Sequence, residues 1–344
     1  MSQSRRPRVA INGFGRIGRA FARMAATDPN CPFDLVGAND LVDPALLAYL
    51  LKYDTTHRKF HGEVAVDGNS LIVGNQKIAL SANTDPSTLP WGELGVDLVI
   101  ESTGRFTKRS GAAQHLKAGA KKVLISAPGD KKEEAPDATV VHGINSSDLK
   151  PEYTIVSAAS CTTTCLAPIA KAVHDAFGIV QGTMTTVHAY TADQALMDAP
   201  HKKEWRRGRN AAQNIVPTGT GAAKAIGLVL PHLEGKLHGV SLRVPVQDVS
   251  LVDLVVVTEK PATTEGVNAA LRAASASFLP GVLRIETDLV VSSDLIGESA
   301  GSVADLSQTH VQGSNLVKVV AWYDNEWGYT SRLYALASHM LTLN

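Results

Sequence analysis

The chain predicts a two-part α/β fold, a doubly wound parallel-sheet domain followed by an α+β domain on a largely antiparallel sheet. Three observations point there. Up to about residue 160, short apolar strands alternate with helical stretches, the pattern of a parallel sheet with crossovers. Beyond it the strand-like segments become longer and alternate apolar with polar residues. The length, 344 residues, exceeds what one hydrophobic core usually fills.

PRVAING reads as a short strand running into a turn, and FGRIGRAFARMAATD as a helix with Phe14, Ile17, Phe21 and Met24 on one side. FDLVGAND is the next strand, which completes a βαβ unit of about 30 residues. SLIVG, VDLVIEST, KKVLISAP, ATVVHGIN and YTIVSAAS continue the strands, with SGAAQHLKAGA as a crossover helix. In the second part GIVQGTMTTVHAYT, GVSLRVPVQDVSLVDLVVVTEK, LIGESAGSVA and LVKVVAWYDNEW are β-rich. CLAPIAKAVHDAFG, GAAKAIGLVL and TTEGVNAALRAASAS are interleaved helices, and YTSRLYALASHML is an amphipathic C-terminal one.

Composition is that of an ordinary globular protein, 44% hydrophobic and 19% charged, with 33 basic and 33 acidic residues. With net charge zero, no global field draws the chain to nucleic acid or an anionic membrane, so any anion must be bound locally. Three cysteines do not make a disulfide framework, which favours a reducing, cytoplasmic compartment. The start, MSQSRRPRVAINGFG, shows no signal peptide, and no apolar run reaches the roughly 18 residues of a membrane span. HKKEWRRGR, 201–209, is the one dense basic run; without a basic domain or interleaved aromatics it reads as a solvated loop rather than a nucleic-acid reader.

Gly13-Phe14-Gly15-Arg16-Ile17-Gly18 matches G-x-G-x-x-G after a strand and at the start of a helix, the context a Rossmann-type dinucleotide site needs. Its glycines permit a tight turn and close approach of backbone to a pyrophosphate, and the helix N-terminus faces the negative charge. Asp40 stands about 20 residues on, where a carboxylate accepts from the ribose hydroxyls and repels a 2′-phosphate. NAD is therefore expected over NADP.

Cys161, in SAASCTTTC, follows a β-rich run and opens a helical stretch. A helix N-terminus there would lower its thiol pKa and make it a nucleophile. The alternative is a buried thiol beside Cys165, which lies four residues on. The C-x3-C spacing is not that of a zinc or redox pair, and no metal is expected. His188, ending the apolar segment TTVHA, is a candidate base, although pattern alone does not choose between that and a structural role.

These residues carry a resemblance to the phosphorylating glyceraldehyde-3-phosphate dehydrogenase family. AINGFGRIGR, VIESTGRF, SCTT-CLAP, TTVHAYT, AAQNIVPTGTGAAKA, LRVPVQDVSLVDL and WYDNEWGY all look like family motifs, in family order and over nearly the whole chain. The resemblance implies an NAD-binding domain of residues 1–160 with the C-terminal helix 324–344, and a catalytic domain of 161–323. It implies a homotetramer with an S-shaped loop near 190–213, and phosphorylating oxidation of glyceraldehyde 3-phosphate with NAD and inorganic phosphate. Cys161 matches the nucleophile and His188 its base. Ser160, Thr162, Thr220, Gly221 and Arg243 match the inorganic-phosphate side. Thr191, Asp193 and Arg207 match the region that holds the substrate phosphate, with Arg243 near both, and Arg16, Ile17, Asp40, Ser126 and Asn325 match cofactor contacts.

The chain departs from the family at Ala158 and Thr164, where asparagines are usual. Drift among the residues behind the nucleophile, with partners changed to match, explains this; so does a specialised paralogue, either resistant to an electrophilic inhibitor or acting on another aldehyde such as erythrose 4-phosphate. The segment HAYTADQALMDAPHKK resembles the triose type and argues against erythrose. Thr84, where many members carry arginine, and Ala199-Pro200 leave room for some NADP use. A binding protein that merely retains the fold is the reading from another class; the intact Cys161, His188, Arg207 and Arg243 argue against it.

Overall fold

The computed structural model describes residues 5–343 except 131, 203 and 279. The first four residues of the N-terminal stretch and Asn344, the end of the range assigned to the C-terminal helix, lie outside the described residues. By contacts the chain divides into two units: Met1–His142 with Ser146–Ala159 and Leu333–Asn344, and Gly143–Asn145 with Ser160–Arg332.

The first unit contains β1 (Arg8–Asn12), α1 (Arg16–Thr27), β2 (Asp34–Asn39), α2 (Pro44–Lys52), β3 (Val64–Asp67), β4 (Ser70–Val73) and β5 (Gln76–Ser81). It continues with β6 (Leu98–Glu101), α3 (Arg109–Lys117), β7 (Lys122–Ile125), β8 (Ala138–Thr139) and β9 (Ile155–Ser157). Sheet order is β3-β4-β5-β2-β1-β6-β7-β9-β8. The strands from β5 to β8 pair in parallel; only β3 with β4 and β4 with β5 are antiparallel. This is a Rossmann-type doubly wound sheet. Val9, Ala10 and Ile11 of β1 are fully buried, as expected where helices cover both faces. The chain leaves β1 first toward β2 and later toward β6, so the switch point lies between these neighbours, at the carboxyl ends of the strands. Of the segment ATVVHGIN only Ala138–Thr139 forms strand; the rest is turn and loop.

The second unit contains α4 (Cys161–Phe177), β10 (Ile179–Ala189), β11 (Val216–Gly219), α5 (Ala222–Val229), β12 (Leu237–Val244), β13 (Ser250–Thr258), α6 (Thr264–Ser277), β14 (Leu283–Glu286), β15 (Ser302–Gln312) and β16 (Leu316–Tyr323). Sheet order is β11-β12-β10-β13-β16-β15-β14, with β10–β12 and β14–β15 parallel and the other pairs antiparallel. Alternate residues of β13, among them Val252, Leu254 and Val256, point into the core, each burial stabilising by about 1.5–3 kcal/mol. Helix α4 packs on α5 and on α6, and all three pack on the sheet. The segment GVSLRVPVQDVSLVDLVVVTEK is two strands, broken between Val244 and Ser250, and LIGESAGSVA is mostly turn, entering strand only at Ser302. The last helix, α7 (Trp327–Thr342), begins in the second unit and continues in the first from Leu333.

Candidate active site

In the first unit, the turn after β1 and the ends of β2 and β6 surround a cleft of about 360 Å³, lined by Asn12, Gly13, Gly15, Asn39, Asp40, Asn83, Thr84, Ser102 and Thr103. Gly13 has φ +93°, and a Cβ there would lie 2.7 Å from the Thr103 backbone nitrogen. A Cβ on Gly18 would lie 2.3 Å from the Gly13 carbonyl oxygen, so the first turn of α1 packs directly on the glycine turn. Gly15 is the N-cap of α1, and no side chain caps that helix. Its first-turn N–H groups therefore suit an anion.

The Asp40 carboxylate is aimed by backbone: Oδ2 accepts from the Phe14 N–H at 2.8 Å and Oδ1 from the Val42 N–H at 3.1 Å. Arg16 forks onto Asp54, so its guanidinium is committed to the fold. Ile17 is half-buried in the same turn, and Ser126 follows β7, its N–H donating to the Glu101 carbonyl at 2.9 Å. Glycine turn, uncapped helix and oriented carboxylate together fit a dinucleotide with a free ribose diol.

In the second unit Cys161 is the first residue of the 17-residue helix α4. Ser160 caps it, accepting from the Thr163 N–H at 3.1 Å, a contact typically worth about 1 kcal/mol. Cys161 Sγ lies 3.6 Å from His188 Nε2. His188 is the penultimate residue of β10, and the parallel register pairs it with Arg243 on β12. Arg243 Nη1 lies 2.8 Å from His188 Nδ1 and 3.0 Å from the Ala189 carbonyl oxygen. The Tyr323 hydroxyl contacts Thr162 Oγ1 at 2.9 Å and Thr186 Oγ1 at 2.8 Å, and its ring meets the His188 ring edge-on at 5.9 Å. The phenol thus links the residue after the thiol to the strand that carries the imidazole.

The helix start does not leave Cys161 a lowered pKa. Burial pushes the thiol up, and the Arg243 charge with hydrogen bonds from Thr162 and the backbone pulls against it. Burial and then the Arg243 charge push His188 down to about 3. Cys165 is fully buried, Sγ 3.6 Å from Ser302 Oγ, and its thiol is pushed far up by burial.

The remaining sequence-derived residues have contacts of their own. Thr220 and Gly221 precede α5; the Thr220 hydroxyl accepts from the Ala222 N–H at 3.2 Å. Arg207 pairs with Asp193, and its Nε donates to Thr218 Oγ1 at 3.0 Å. Against the cost of burial, hydrogen bonds from Arg207 and His201 hold the Asp193 carboxyl low. Thr191 is half-buried beside them in the chain, its carbonyl accepting from the Gln194 N–H. Asn325 lies in the second unit, where its Oδ1 accepts from Ser250 Oγ at 2.7 Å.

Residues 7–109 match the family profile described as glyceraldehyde 3-phosphate dehydrogenase, NAD binding domain, and residues 160–325 match that of its C-terminal domain. The chain is 52% identical over 334 residues to "Glyceraldehyde-3-phosphate dehydrogenase" of Geobacillus stearothermophilus, covering 97% of this chain and 98% of that one. It is 53% identical to "Glyceraldehyde-3-phosphate dehydrogenase 2" of Trichormus variabilis, covering 96% and 97%. It is 49% identical to the cytosolic enzyme of Pinus sylvestris, covering 99% of both. The chain belongs to the glyceraldehyde-3-phosphate dehydrogenase family.

Two positions where the chain departs from the usual family motif have simple local accounts. The Ala158 side chain is buried, and its N–H donates to the Ile125 carbonyl at 2.9 Å. Thr164 Oγ1 donates back to the Ser160 carbonyl at 3.0 Å, the i−4 bond open to a helical hydroxyl. One feature of this family chain was not legible by motif. Glu101 is buried, its carboxylate accepting from Asn12 Nδ2 at 2.6 Å and the Thr103 N–H at 2.8 Å. His115 accepts from Trp91 Nε1 at 3.0 Å and faces Glu101 at 3.0 Å, while Asn39 Nδ2 donates to Asn12 Oδ1 at 2.8 Å. This network fixes the strand ends that line the cleft. The only signal for it was a glutamate, not an apolar residue, at the end of VDLVIE.

Proposed function

We propose that the chain oxidises glyceraldehyde 3-phosphate to 1,3-bisphosphoglycerate, using NAD and inorganic phosphate, through a thioester on Cys161. The observation that carries this reading is the 3.6 Å contact of Cys161 Sγ with His188 Nε2 at the start of a capped helix. Cys161 Sγ adds to the aldehyde carbon, and the thiol proton passes by way of His188 to the new hydroxyl. The N–H at the helix start supports the oxygen as charge develops on it. His188 then takes the hydroxyl proton as the C=O bond re-forms. NAD, when bound, accepts the hydride that leaves that carbon. Inorganic phosphate attacks the thioester, the acyl–phosphate bond forms, the C–S bond breaks, and Cys161 recovers its proton. Arg243, with Thr220 and Gly221 at the start of α5 and Ser160 and Thr162 at the start of α4, is assigned to phosphate. Arg207, Thr191 and Asp193 are assigned to the substrate's phosphate, where the arginine fork suits a phosphoryl group.

Gly13, Gly15, Arg16, Ile17, Gly18, Asp40 and Ser126 are assigned to NAD, with Asn325 for the nicotinamide end. Asp40 sets the preference against a 2′-phosphate. NADH formation from glyceraldehyde 3-phosphate, with and without inorganic phosphate, tests the reading. Turnover should require phosphate and vanish in Cys161→Ser; turnover indifferent to phosphate overturns it.

The resemblance also supports a homotetramer, and exposed apolar side chains support it further. In the loop 190–213, Leu196 is 72%, Met197 73% and Trp205 88% exposed. A solution mass by light scattering equal to one chain would refute it. We place the chain in the cytoplasm: Cys31, Cys161 and Cys165 are all free thiols, and among the described residues no helix is long and apolar enough to cross a membrane.

A further inference from the structure

Five buried side chains, Trp91, His115, Glu101, Asn12 and Asn39, form a hydrogen-bonded chain from the core of the first unit to its cleft. Asn39, Asn12 and Glu101 are the last residues of β2, β1 and β6 and stand side by side in register. The direction of every bond is fixed from both ends. At one end the indole N–H of Trp91 can only donate, and it lies 3.0 Å from His115 Nδ1. Nδ1 therefore accepts, the ring proton sits on Nε2, and Nε2 donates to Glu101 Oε2 at 3.0 Å. At the other end the Asn83 backbone orients Asn39: its N–H donates to Asn39 Oδ1 and its carbonyl accepts from Asn39 Nδ2, both at 2.9 Å. The second hydrogen of Asn39 Nδ2 goes to Asn12 Oδ1 at 2.8 Å, which turns Asn12 Nδ2 onto Glu101 Oε2 at 2.6 Å. Asn12 Nδ2 and His115 Nε2, 3.4 Å apart, are both donors and share that oxygen. Oε1 accepts from the Thr103 N–H at 2.8 Å and from the Thr103 hydroxyl, whose oxygen accepts in turn from the Arg105 N–H at 3.0 Å. Each of these side-chain contacts brings the carboxylate a donor.

We propose that Glu101 is a positioning residue for the cofactor: one buried carboxylate ties the two walls of the cleft together and holds them at the spacing the adenosine end of the dinucleotide needs. The inference rests on the reading of this cleft as the dinucleotide site. Sheet order places the walls on opposite sides of β1. Asn83, Thr84 and Pro86 follow β5 on one side, and Ser102, Thr103, Arg105 and Phe106 follow β6 on the other. Oε2 reaches the first wall through Asn12 and Asn39, and Oε1 holds the second through Thr103. Glu101 is not itself among the residues that line the cleft, so its effect on binding is carried by the walls. A carboxylate suits this place because bonds to an ionised acceptor are about twice as strong as neutral ones. A neutral amide of the same shape would turn its own two hydrogens toward a shell of donors, and one arm would have to let go. His115 acts one step further out. With its lone pair engaged by Trp91, the imidazole can offer Glu101 only a proton donor.

Glu101→Gln in the full-length protein tests the coupling. The dissociation constant for ADP-ribose, read by calorimetry, and KM for NAD should both rise at least about tenfold, with kcat at saturating NAD kept within about twofold. Peptides covering Asn83 and Thr103 should both exchange amide hydrogen faster than in wild type. Wild-type affinity for ADP-ribose in the variant, or a fall in kcat with KM unchanged, overturns the proposal. So does faster exchange at one wall alone, since the carboxylate would then serve only that wall. If wild type itself does not bind ADP-ribose, the dinucleotide reading of the cleft fails, and the coupling of the walls is judged by the exchange result. Glu101→Asp keeps the charge but is one methylene too short to reach both arms, so it should show the same loss of binding; unchanged affinity there also refutes the coupling. Should neither variant fold, imidazole ¹⁵N NMR of wild type remains. His115 should be protonated on Nε2 alone, and a proton on Nδ1 would break the order of donors from which the role of Glu101 is inferred.

Discussion

The two candidate sites are built from different materials. In the first unit the cleft is mostly backbone: a glycine turn at φ +93°, an uncapped helix start and a carboxylate held by the Phe14 N–H. In the second unit the site is side chains drawn from separate elements: Cys161 from α4, His188 from β10, Arg243 from β12 and Tyr323 from β16. A backbone site binds whatever presents the right charge and shape, and it has few titrating parts. A side-chain site can move protons, but each of its groups has to be positioned and its charge state set by neighbours. The first is suited to holding a cofactor, the second to chemistry.

Removing the base should give the widest separation between them. His188→Asn should lower phosphate-dependent turnover by about 10²–10⁴-fold, the usual contribution of a positioned acid–base group, with NAD affinity unchanged by fluorescence titration. A parallel loss of NAD affinity would break the division of labour. Gly13→Ala works from the other side. It forces a side chain into a positive-φ position worth roughly 1–3 kcal/mol of strain, with its Cβ 2.7 Å from Thr103 N. NAD affinity should fall at least about tenfold, by the conversion of about 1.4 kcal/mol per factor of ten. Alkylation of Cys161 in the absence of cofactor should be unaffected.

Asp248 sharpens the contrast in titration behaviour. It is 2% exposed, and Val249 beside it has φ +65°. Burial first, then the charges of Asp324 and Glu326, push its carboxyl up to about 8. An unfolded aspartate titrates near about 3.9. Between these values the folded chain keeps a proton that the unfolded chain releases, so folding stability should fall as pH rises from about 4 to about 8. Asp248→Asn should flatten that slope and raise stability at pH 9 relative to wild type, read from urea midpoints at pH 5 and pH 9. An unchanged slope would show that Asp248 ionises without cost.

Tyr323→Phe is the mildest change. It deletes the hydroxyl shared by Thr162 and Thr186 and keeps the ring against His188. Loss of a buried hydrogen-bonded hydroxyl costs about 1–3 kcal/mol in stability. If the phenol aligns nucleophile and base, kcat should fall by roughly tenfold with KM little changed, the mark of an interaction made in the transition state. A change in KM alone would make the phenol part of the binding site instead.

The glycine turn and Asp40 could be read along the chain because a βαβ unit is local: strand, turn, helix and acid follow one another within about 30 residues. Cys161 could be placed at a helix start for the same reason, since Ser160 is its cap and the apolar face of α4 follows. The segment from Gly239 to Lys260 was harder: its continuous β character hid the break at Val244 that separates a strand parallel to β10 from one antiparallel to it. Glu101, His115 and Asn12 were equally hidden, because a satisfied buried network has no periodicity of its own.

The sequence by itself determined the two-sheet class, the glycine turn after β1, and which thiol stands at the mouth of a helix. These depend on hydrophobic period, glycine sterics and capping, which act between near neighbours along the chain. The tertiary structure alone decided that His188 meets Cys161, that Arg243 sits on the far nitrogen of the same ring, and that Arg16 turns to Asp54. It alone decided that burial raises the Cys161 thiol against the pull of the helix start. Those outcomes depend on strand register and on desolvation, both of which arise only when distant segments pack together.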